Sequence, residues 1–295
     1  MEFQPETQSA RKPPWLKIKF PSHKNYFYVS NLLKEKNIHT ICQSAKCPNI
    51  SECWSHKTAT FLILGDTCTR DCGFCAVSKG NPTSSPTDEP NQVAEAVALM
   101  GLKYVVITSV TRDDMGDGGA YQFAETISKI KETSPHAKIE VLIPDFDGST
   151  AALQTVIEAH PDILNHNLEV PVSLYSVINR PGNFYARSLG IIKSAAEKGM
   201  ITKSGLMIGL GENMEDILQA FSDLRRSLCE LLTLGQYLQP TKNHVPVQKY
   251  YSPREFTQLQ KIALDFGFKD VVSGPLVRSS FQAHKMYDTF HENMI

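Results

Sequence analysis

Ala59-Thr60-Phe61-Leu62-Ile63-Leu64-Gly65 is a short apolar run closed by glycine, and it reads as a buried β-strand. The segment Asp88 to Leu102, with Val93, Val97 and Met100 at helical spacing, reads as the helix that follows it. Outward from this unit the pattern repeats. Strand-like runs recur at Tyr104 to Val110, Lys138 to Ile143, Ile163 to Leu168, Lys203 to Ile208 and Leu232 to Leu238. Helical segments follow them at Ala120 to Glu132, Thr150 to His160, Ala186 to Lys198, Met214 to Leu228 and Pro253 to Phe266. Asn213 before Met214, and Ser252 before Pro253, supply helix-start signals for the last two. Six consecutive strand-then-helix units imply parallel pairing through right-handed crossovers, hence a barrel or an open doubly wound sheet. A final short run, Asp270 to Ser273, follows the sixth helix. Six units are two short of a closed eightfold barrel. The expected fold is therefore α/β, an incomplete, splayed (βα)6 TIM-type barrel over residues 59–273, whose lateral opening admits a large substrate. Residues 1–58 and 274–295 form N-terminal and C-terminal extensions, and the loop Gly80 to Pro90 reads as surface connection.

With 295 residues, 41% hydrophobic and 21% charged, the chain is long enough to bury a substantial core. Thirty Lys and Arg against 31 Asp and Glu give a formal charge of -1, which provides no global basic field for a nucleic-acid backbone. No nucleic-acid partner is expected. The longest apolar stretches fall far below the roughly 20 residues that span a bilayer, so no membrane partner is expected either. The first fifteen residues carry Glu2, Glu6, Arg11 and Lys12 but no apolar run, which fits neither a secretory signal nor an acid-free transit peptide. The expected location is the cytoplasm.

Of seven cysteines, six lie between Cys42 and Cys75. A disulfide framework belongs to small secreted domains short of core, so metal binding is the better reading. Cys68, Cys72 and Cys75 follow the first strand directly, with three and then two residues between them, at the strand edge where barrel enzymes place their chemistry. Three thiolates on one loop can hold three irons of a four-iron cluster and leave the fourth open to a small molecule. A structural zinc would want a fourth ligand, and none is near in sequence. Upstream, Cys42, Cys47 and Cys53 form a second triple with four and then five intervening residues. Two triples flanking one strand argue for two soft metal clusters; the competing reading makes one triple structural and the other reactive. Cys229, at an apolar helix end, reads as a buried small hydrophobe.

The loop CTRDCGFC after ATFLILGDT resembles the cluster motif of the radical S-adenosylmethionine superfamily, and CQSAKCPNISEC resembles the auxiliary-cluster motif of lipoyl synthases. The resemblance continues through SVTRDDMGDGGA (Ser109 to Ala120), NHNLE (Asn165 to Glu169), SGLMIGLGE (Ser204 to Glu212), TLGQYLQPT (Thr233 to Thr241) and GPLVRSSF (Gly274 to Phe281). It implies that Cys68, Cys72 and Cys75 hold a [4Fe-4S] cluster whose open iron chelates S-adenosylmethionine for one-electron cleavage. The resulting 5′-deoxyadenosyl radical would abstract hydrogens from C6 and C8 of an octanoyl chain on a carrier-domain lysine. Cys42, Cys47 and Cys53 would hold a second [4Fe-4S] cluster that gives up its sulfides. By the same resemblance Ser280, in Arg278-Ser279-Ser280-Phe281, completes that ligand set. Phe281 stands where the family has tyrosine, and Gln43 and Ser44 stand where acidic residues are common. The implied partners are octanoylated lipoyl carrier domains (2-oxoacid dehydrogenase E2 subunits and the glycine cleavage H protein) and an electron donor of ferredoxin or flavodoxin type. The competing readings are a biotin-synthase-like sulfurtransferase, and an iron-sulfur carrier or zinc-binding interaction protein without catalysis.

Asn167 and Glu169, at the end of the fourth strand, and Arg180 in the loop beyond are expected contacts for S-adenosylmethionine or substrate, although polar residues there also serve as caps. Gly118-Gly119 either lets backbone approach the methionyl moiety or makes a plain turn. Gly209-Leu210-Gly211 lacks the third glycine of a dinucleotide fingerprint. His166 and His244 read as satisfied or solvated side chains.

Overall fold

The computed structural model describes residues 12–18, 20–82 and 88–292. The leader reading of residues 1–11 and the tip of the Gly80 to Pro90 loop lie outside the described residues. In chain order the elements are α1 (Lys24–Glu35), β1 (His39–Thr40), α2 (Ile41–Ser44), α3 (Ile50–Ser55), β2 (Thr60–Ile63), β3 (Thr67–Cys68), β4 (Ser78–Lys79) and α4 (Glu89–Met100). Then follow β5 (Tyr104–Ser109), α5 (Ala120–Thr133), β6 (Lys138–Leu142), α6 (Thr150–Glu158), β7 (Ile163–Asn165) and α7 (Asn183–Glu197). The chain ends with β8 (Ile201–Ile208), α8 (Met214–Arg226), β9 (Leu231–Gln236), α9 (Pro253–Asp265), β10 (Asp270–Gly274) and α10 (Ala283–Glu292).

Eight strands form one sheet in the order β1-β2-β5-β6-β7-β8-β9-β10, with β2 and every later strand in it parallel and β1 antiparallel at the edge. No pairing joins β1 to β10, so the barrel stays open. The six expected strand-helix units are present, and the terminal run becomes a seventh parallel strand, β10, in register with β9 from Asp270 opposite Leu231 to Gly274 opposite Gly235. Strands buried on both faces explain the unbroken apolar runs: every residue of β2 and of β9 is buried. The expected fourth strand is shorter than its apolar run. It stops at Asn165, and beyond it only Glu169 bridges to Leu206 of β8.

The predicted caps form. Asn213 and Asp216 make a reciprocal capping box at α8, and Ser252 with Glu255 makes another at α9, with Pro253 in the first turn. At the opposite end from the loops that carry the cysteines, α10 lays Met286 and Phe290 against Ile163 and Leu231, the first residues of β7 and β9. It thereby covers the N-terminal mouth of the strands. Among the described residues no helix is long and apolar enough to cross a membrane.

Candidate functional site

The loop bearing Cys68, Cys72 and Cys75 leaves β2 through Leu64 and Gly65, which adopt left-handed backbone with φ of 68° and 86°. A leucine in that region is strained, and the surroundings hold it there. The buried Glu89 carboxylate, at the start of α4, accepts the Leu64 N–H at 2.7 Å and the Gly65 N–H at 3.4 Å, and Gln122 donates to the same carboxylate at 3.0 Å. The loop is then tied to the loops that follow β5, β6, β7 and β9. Gly73 N–H donates to Ile178 O at 2.8 Å, Val245 N–H donates to Gly73 O at 3.0 Å, and the His244 ring bonds the Cys75 carbonyl at 2.9 Å through Nε2. Arg70 forks onto Asp113 at 2.7 and 2.8 Å and also meets the buried Asp145 at 2.6 Å.

Around the sulfurs the donors converge. Cys68 Sγ accepts the backbone N–H groups of Arg70 at 3.4 Å and Thr111 at 3.3 Å. Arg180 Nε donates to Cys72 Sγ at 3.3 Å, its Nη2 stands 3.9 Å from Glu169 Oε1, and its guanidinium lies 5.4 Å from the centre of the Phe74 ring. Burial works against the Arg180 charge, but the Glu169 carboxylate and the Cys72 sulfur hold its pKa above the ordinary arginine value. Glu169 is itself pushed up by burial, with Arg180 opposing. Burial raises the Cys75 thiol to about 12, and the neighbouring Cys72 and Cys68 add to the shift.

The upstream triple sits on two short helices and the turn between them. Thr40 accepts the Gln43 N–H at the start of α2, and Lys46, at φ 50°, reverses the chain so that Cys47 N–H reaches Cys42 O at 3.0 Å. Asn49 O then accepts the Cys53 N–H at 2.9 Å on α3. Burial lifts the Cys42 thiol to about 11 and the Cys53 thiol to about 12, and each is raised further by neighbours within the triple. The buried Trp54 indole, which reaches no conventional hydrogen-bond partner among the described residues, bears on Cys42 and favours its thiolate. All six clustered cysteines are free thiols, and Cys42, Cys47, Cys53, Cys68 and Cys75 pack with one hydrophobic cluster that includes Phe61, Leu62 and Ile63 of β2. Among the described residues no three His, Cys, Asp or Glu side chains converge on a single-ion site. Cys229 is fully buried, as its apolar setting led one to expect.

The C-terminal segment closes on this triple from across the chain. Asn49 Nδ2 donates to Leu276 O at 2.6 Å, and the Arg278 charge acts on Cys47. Ser279 Oγ donates to Asn167 Oδ1 at 3.0 Å, whereas Ser280 makes no hydrogen bond with another described residue. Asn167, Glu169 and Arg180 thus stand together, Asn167 toward the Arg278 to Phe281 segment and Arg180 toward Cys72. Gly118 and Gly119 have φ of 61° and 89°, and a Cβ at Gly119 would lie 2.2 Å from Leu64 Cδ1, so packing against protein requires that glycine. Gly209 and Leu210 donate their N–H groups to Glu212 at 2.6 and 3.0 Å, which accounts for the GLGE turn without a nucleotide. His166 is satisfied by Ile143 O and Ser188 Oγ, both at 2.9 Å.

Glu89, Arg70, Asp113, Asp145 and Arg278 are the residues that sequence reasoning missed as parts of this site. Arg70, Asp113 and Arg278 lie inside the stretches CTRDCGFC, SVTRDDMGDGGA and RSSF that carried the resemblance but were not singled out there, and the contacts of all five join residues far apart in the chain, which leaves no local pattern.

A family model described as "Radical SAM superfamily" matches residues 62–224, and one described as "N-terminal domain of lipoyl synthase of Radical_SAM family" matches residues 2–47. Among curated proteins, a lipoyl synthase of Koribacter versatilis is 48% identical over 97% of this chain and 94% of its own length. One from Caldicellulosiruptor bescii is 51% identical over 94% of this chain and 96% of its own. Among solved structures, Streptococcus suis SuiB bound to its precursor peptide SuiA superimposes with a TM-score of 0.58 at 11% identity, over 88% of this chain and 55% of that one. HydG, a maturase of the [FeFe]-hydrogenase, gives 0.56 at 12% identity, over 79% and 62%. These structures share the open barrel, and the nearly full-length identity carries the rest: the chain belongs to the lipoyl synthase family of the radical S-adenosylmethionine superfamily.

Proposed function

We propose that this chain inserts two sulfur atoms at C6 and C8 of an octanoyl group held in amide linkage on a carrier-domain lysine. The observation that carries this reading is that five of the six free thiols of the two triples meet on one core, while Leu276, just ahead of the Arg278 to Phe281 segment, returns across 227 residues to bond Asn49 beside the upstream triple.

The donor chemistry fits iron-sulfur groups. Burial and neighbouring cysteines raise the pKa of Cys42, Cys53 and Cys75, a cost that a bound cationic centre relieves. Thiolates of a multi-iron cluster bind different irons, so they need not converge on one point. Cys68, Cys72 and Cys75 would hold one [4Fe-4S] group, and Cys42, Cys47, Cys53 and Ser280 the other. When bound, these groups with S-adenosylmethionine supply one-electron reduction, the hydrogen-abstracting radical and the inserted sulfur.

The protein's own contribution is placement and charge. The N–H groups of Arg70 and Thr111 donate to Cys68 Sγ and Arg180 Nε donates to Cys72 Sγ, which fixes where those two sulfurs stand. The Glu89 clamp on Leu64 and Gly65 sets where that loop begins. Asn167 and Glu169, facing both triples' neighbourhoods, are placed to hold the amino and carboxylate groups of S-adenosylmethionine or the reacting chain. Arg278 offsets negative charge at the upstream site, where Gln43 and Ser44 add none. The carriers are octanoylated 2-oxoacid dehydrogenase E2 domains and the glycine cleavage H protein, and the reductant is a ferredoxin or flavodoxin.

The test separates the two triples. After anaerobic reconstitution the protein should hold about eight irons. Cys42→Ala should still release 5′-deoxyadenosine but add no sulfur to an octanoylated peptide, as read by mass spectrometry; Cys72→Ala should lose both. Equal loss of both in a folded Cys42→Ala protein would contradict the division of labour.

A further inference from the structure

Residues 12–58 hold eight lysines, two glutamates and no arginine, whereas residues 59–295 hold 21 Lys and Arg against 27 Asp and Glu. A chain of near-zero net charge therefore carries a strongly basic segment at one end. The longest ordered element of that segment, α1, buries Val29, Leu32 and Leu33. On its opposite face Lys24, Phe27, Tyr28, Asn31, Lys34 and one acidic residue, Glu35, are exposed at spacings of three and four residues. Phe27 is 53% exposed, and Phe20, just ahead of the helix, is 93% exposed. Lys57 adds a further cation by lying over the Tyr28 ring at 5.3 Å. Single exposed apolar side chains need no explanation, but rings grouped among lysines on one face have the make-up of a recognition surface with an aromatic centre and a charged rim.

The position of this face matters as much as its composition. The helix is the layer directly outside the upstream cysteines: Asn25 Nδ2 donates to Ser55 O at 2.9 Å, and the Tyr26 ring lies 5.2 Å from that of Trp54, the neighbour of Cys53 on α3. A macromolecule seated on α1 is thereby held one helix away from the upstream triple.

We propose that the exposed face of α1, with Phe20 and Lys57, docks the carrier protein by recognising an acidic surface beside its octanoyl-lysine. This rests on the activity proposed above. The all-lysine composition favours a protein over a nucleic acid, since bidentate phosphate recognition draws on the planar fork of arginine.

The experiment compares two substrates on the reconstituted full chain: intact octanoylated glycine cleavage H protein, and a short octanoyl-lysine peptide without acidic residues. In Lys24→Glu/Lys34→Glu, kcat/KM for the intact protein should fall about tenfold while the peptide value stays unchanged, and the wild-type preference for the protein should shrink with added salt. Phe27→Ser should act in the same direction. If charge reversal disturbs folding, Lys24→Gln/Lys34→Gln should show a smaller loss with the same selectivity. Equal change for both substrates, or no change for either, overturns the proposal. Binding of poly(U) by the wild type that the variant loses, with protein turnover unaltered, overturns it in favour of nucleic acid. Wild-type turnover of neither substrate overturns the activity reading and this proposal with it.

Discussion

Gly235 shows how much one residue can decide. It lies in β9, and a Cβ built on it would sit 2.2 Å from the Val277 carbonyl oxygen, a backbone atom that cannot swing aside. Only glycine lets the C-terminal segment pass this close to the strand. The same segment presents Arg278 to Cys47 and leaves Ser280 uncommitted, so Gly235→Ala should push it away from the upstream triple. The expected outcome is a folded protein whose iron content falls from about eight to about four, with 5′-deoxyadenosine release retained. A full iron complement in that variant would mean that the segment does not complete the upstream site. That the six cysteines fall into two triples was legible from spacing alone, because residues a few positions apart on one short segment stay close in space whatever the fold; that both triples hold metal is the proposal made above. Arg278 was not legible in that way: its effect on Cys47 depends on a chain reversal that no local pattern records.

At the level of elements, His166 ties three of them together. It follows β7, and its Nδ1 stands 2.9 Å from Ile143 O beyond β6, so that nitrogen carries the proton, while Nε2 accepts the Ser188 hydroxyl of α7 at 2.9 Å. Burial holds its pKa down at about 4, against 6.5 for an ordinary histidine. In the unfolded chain this ring protonates as pH falls through about 6.5; in the folded chain it stays neutral until about 4. Stability should therefore decline across that window, by roughly 3 kcal/mol in full, and His166→Gln should flatten the slope in denaturant titrations at pH 4 to 7. An unchanged slope would show that the ring is not held neutral. The helix starts at Asn213 and Ser252 were readable because a cap is a local bargain between a side chain and the next three N–H groups. The early end of β7 was not, since pairing with β8, rather than apolar content, sets where a strand stops.

Over the whole molecule, the open barrel keeps a charged pair in its interior. Lys203 of β8 donates to Glu140 of β6 at 2.9 Å, both essentially unexposed, and Tyr104 and Asn165 also donate to that carboxylate, at 2.7 and 3.0 Å. Below them α10 shuts the strand mouth with Met286 and Phe290. Removing one partner strands the other charge out of water. Lys203→Met should cost about 3 to 5 kcal/mol in chemical denaturation, and adding Glu140→Leu should recover most of it. A neutral single variant would show that water reaches this interior.

By itself the sequence determined the βα repeat, the openness expected of six units, the caps and the two thiol triples, because each rests on periodicity or spacing within a few tens of residues. Only the tertiary structure decided that β1 and β10 lie at opposite free edges of the sheet. It likewise decided that Glu89 and Arg180 anchor the cysteine loop, and that residues 276–280 return to the upstream triple. Those contacts join distant parts of the chain. Their energies come from burial and from pairing that exist only once the sheet has curled and its loops have met on one side.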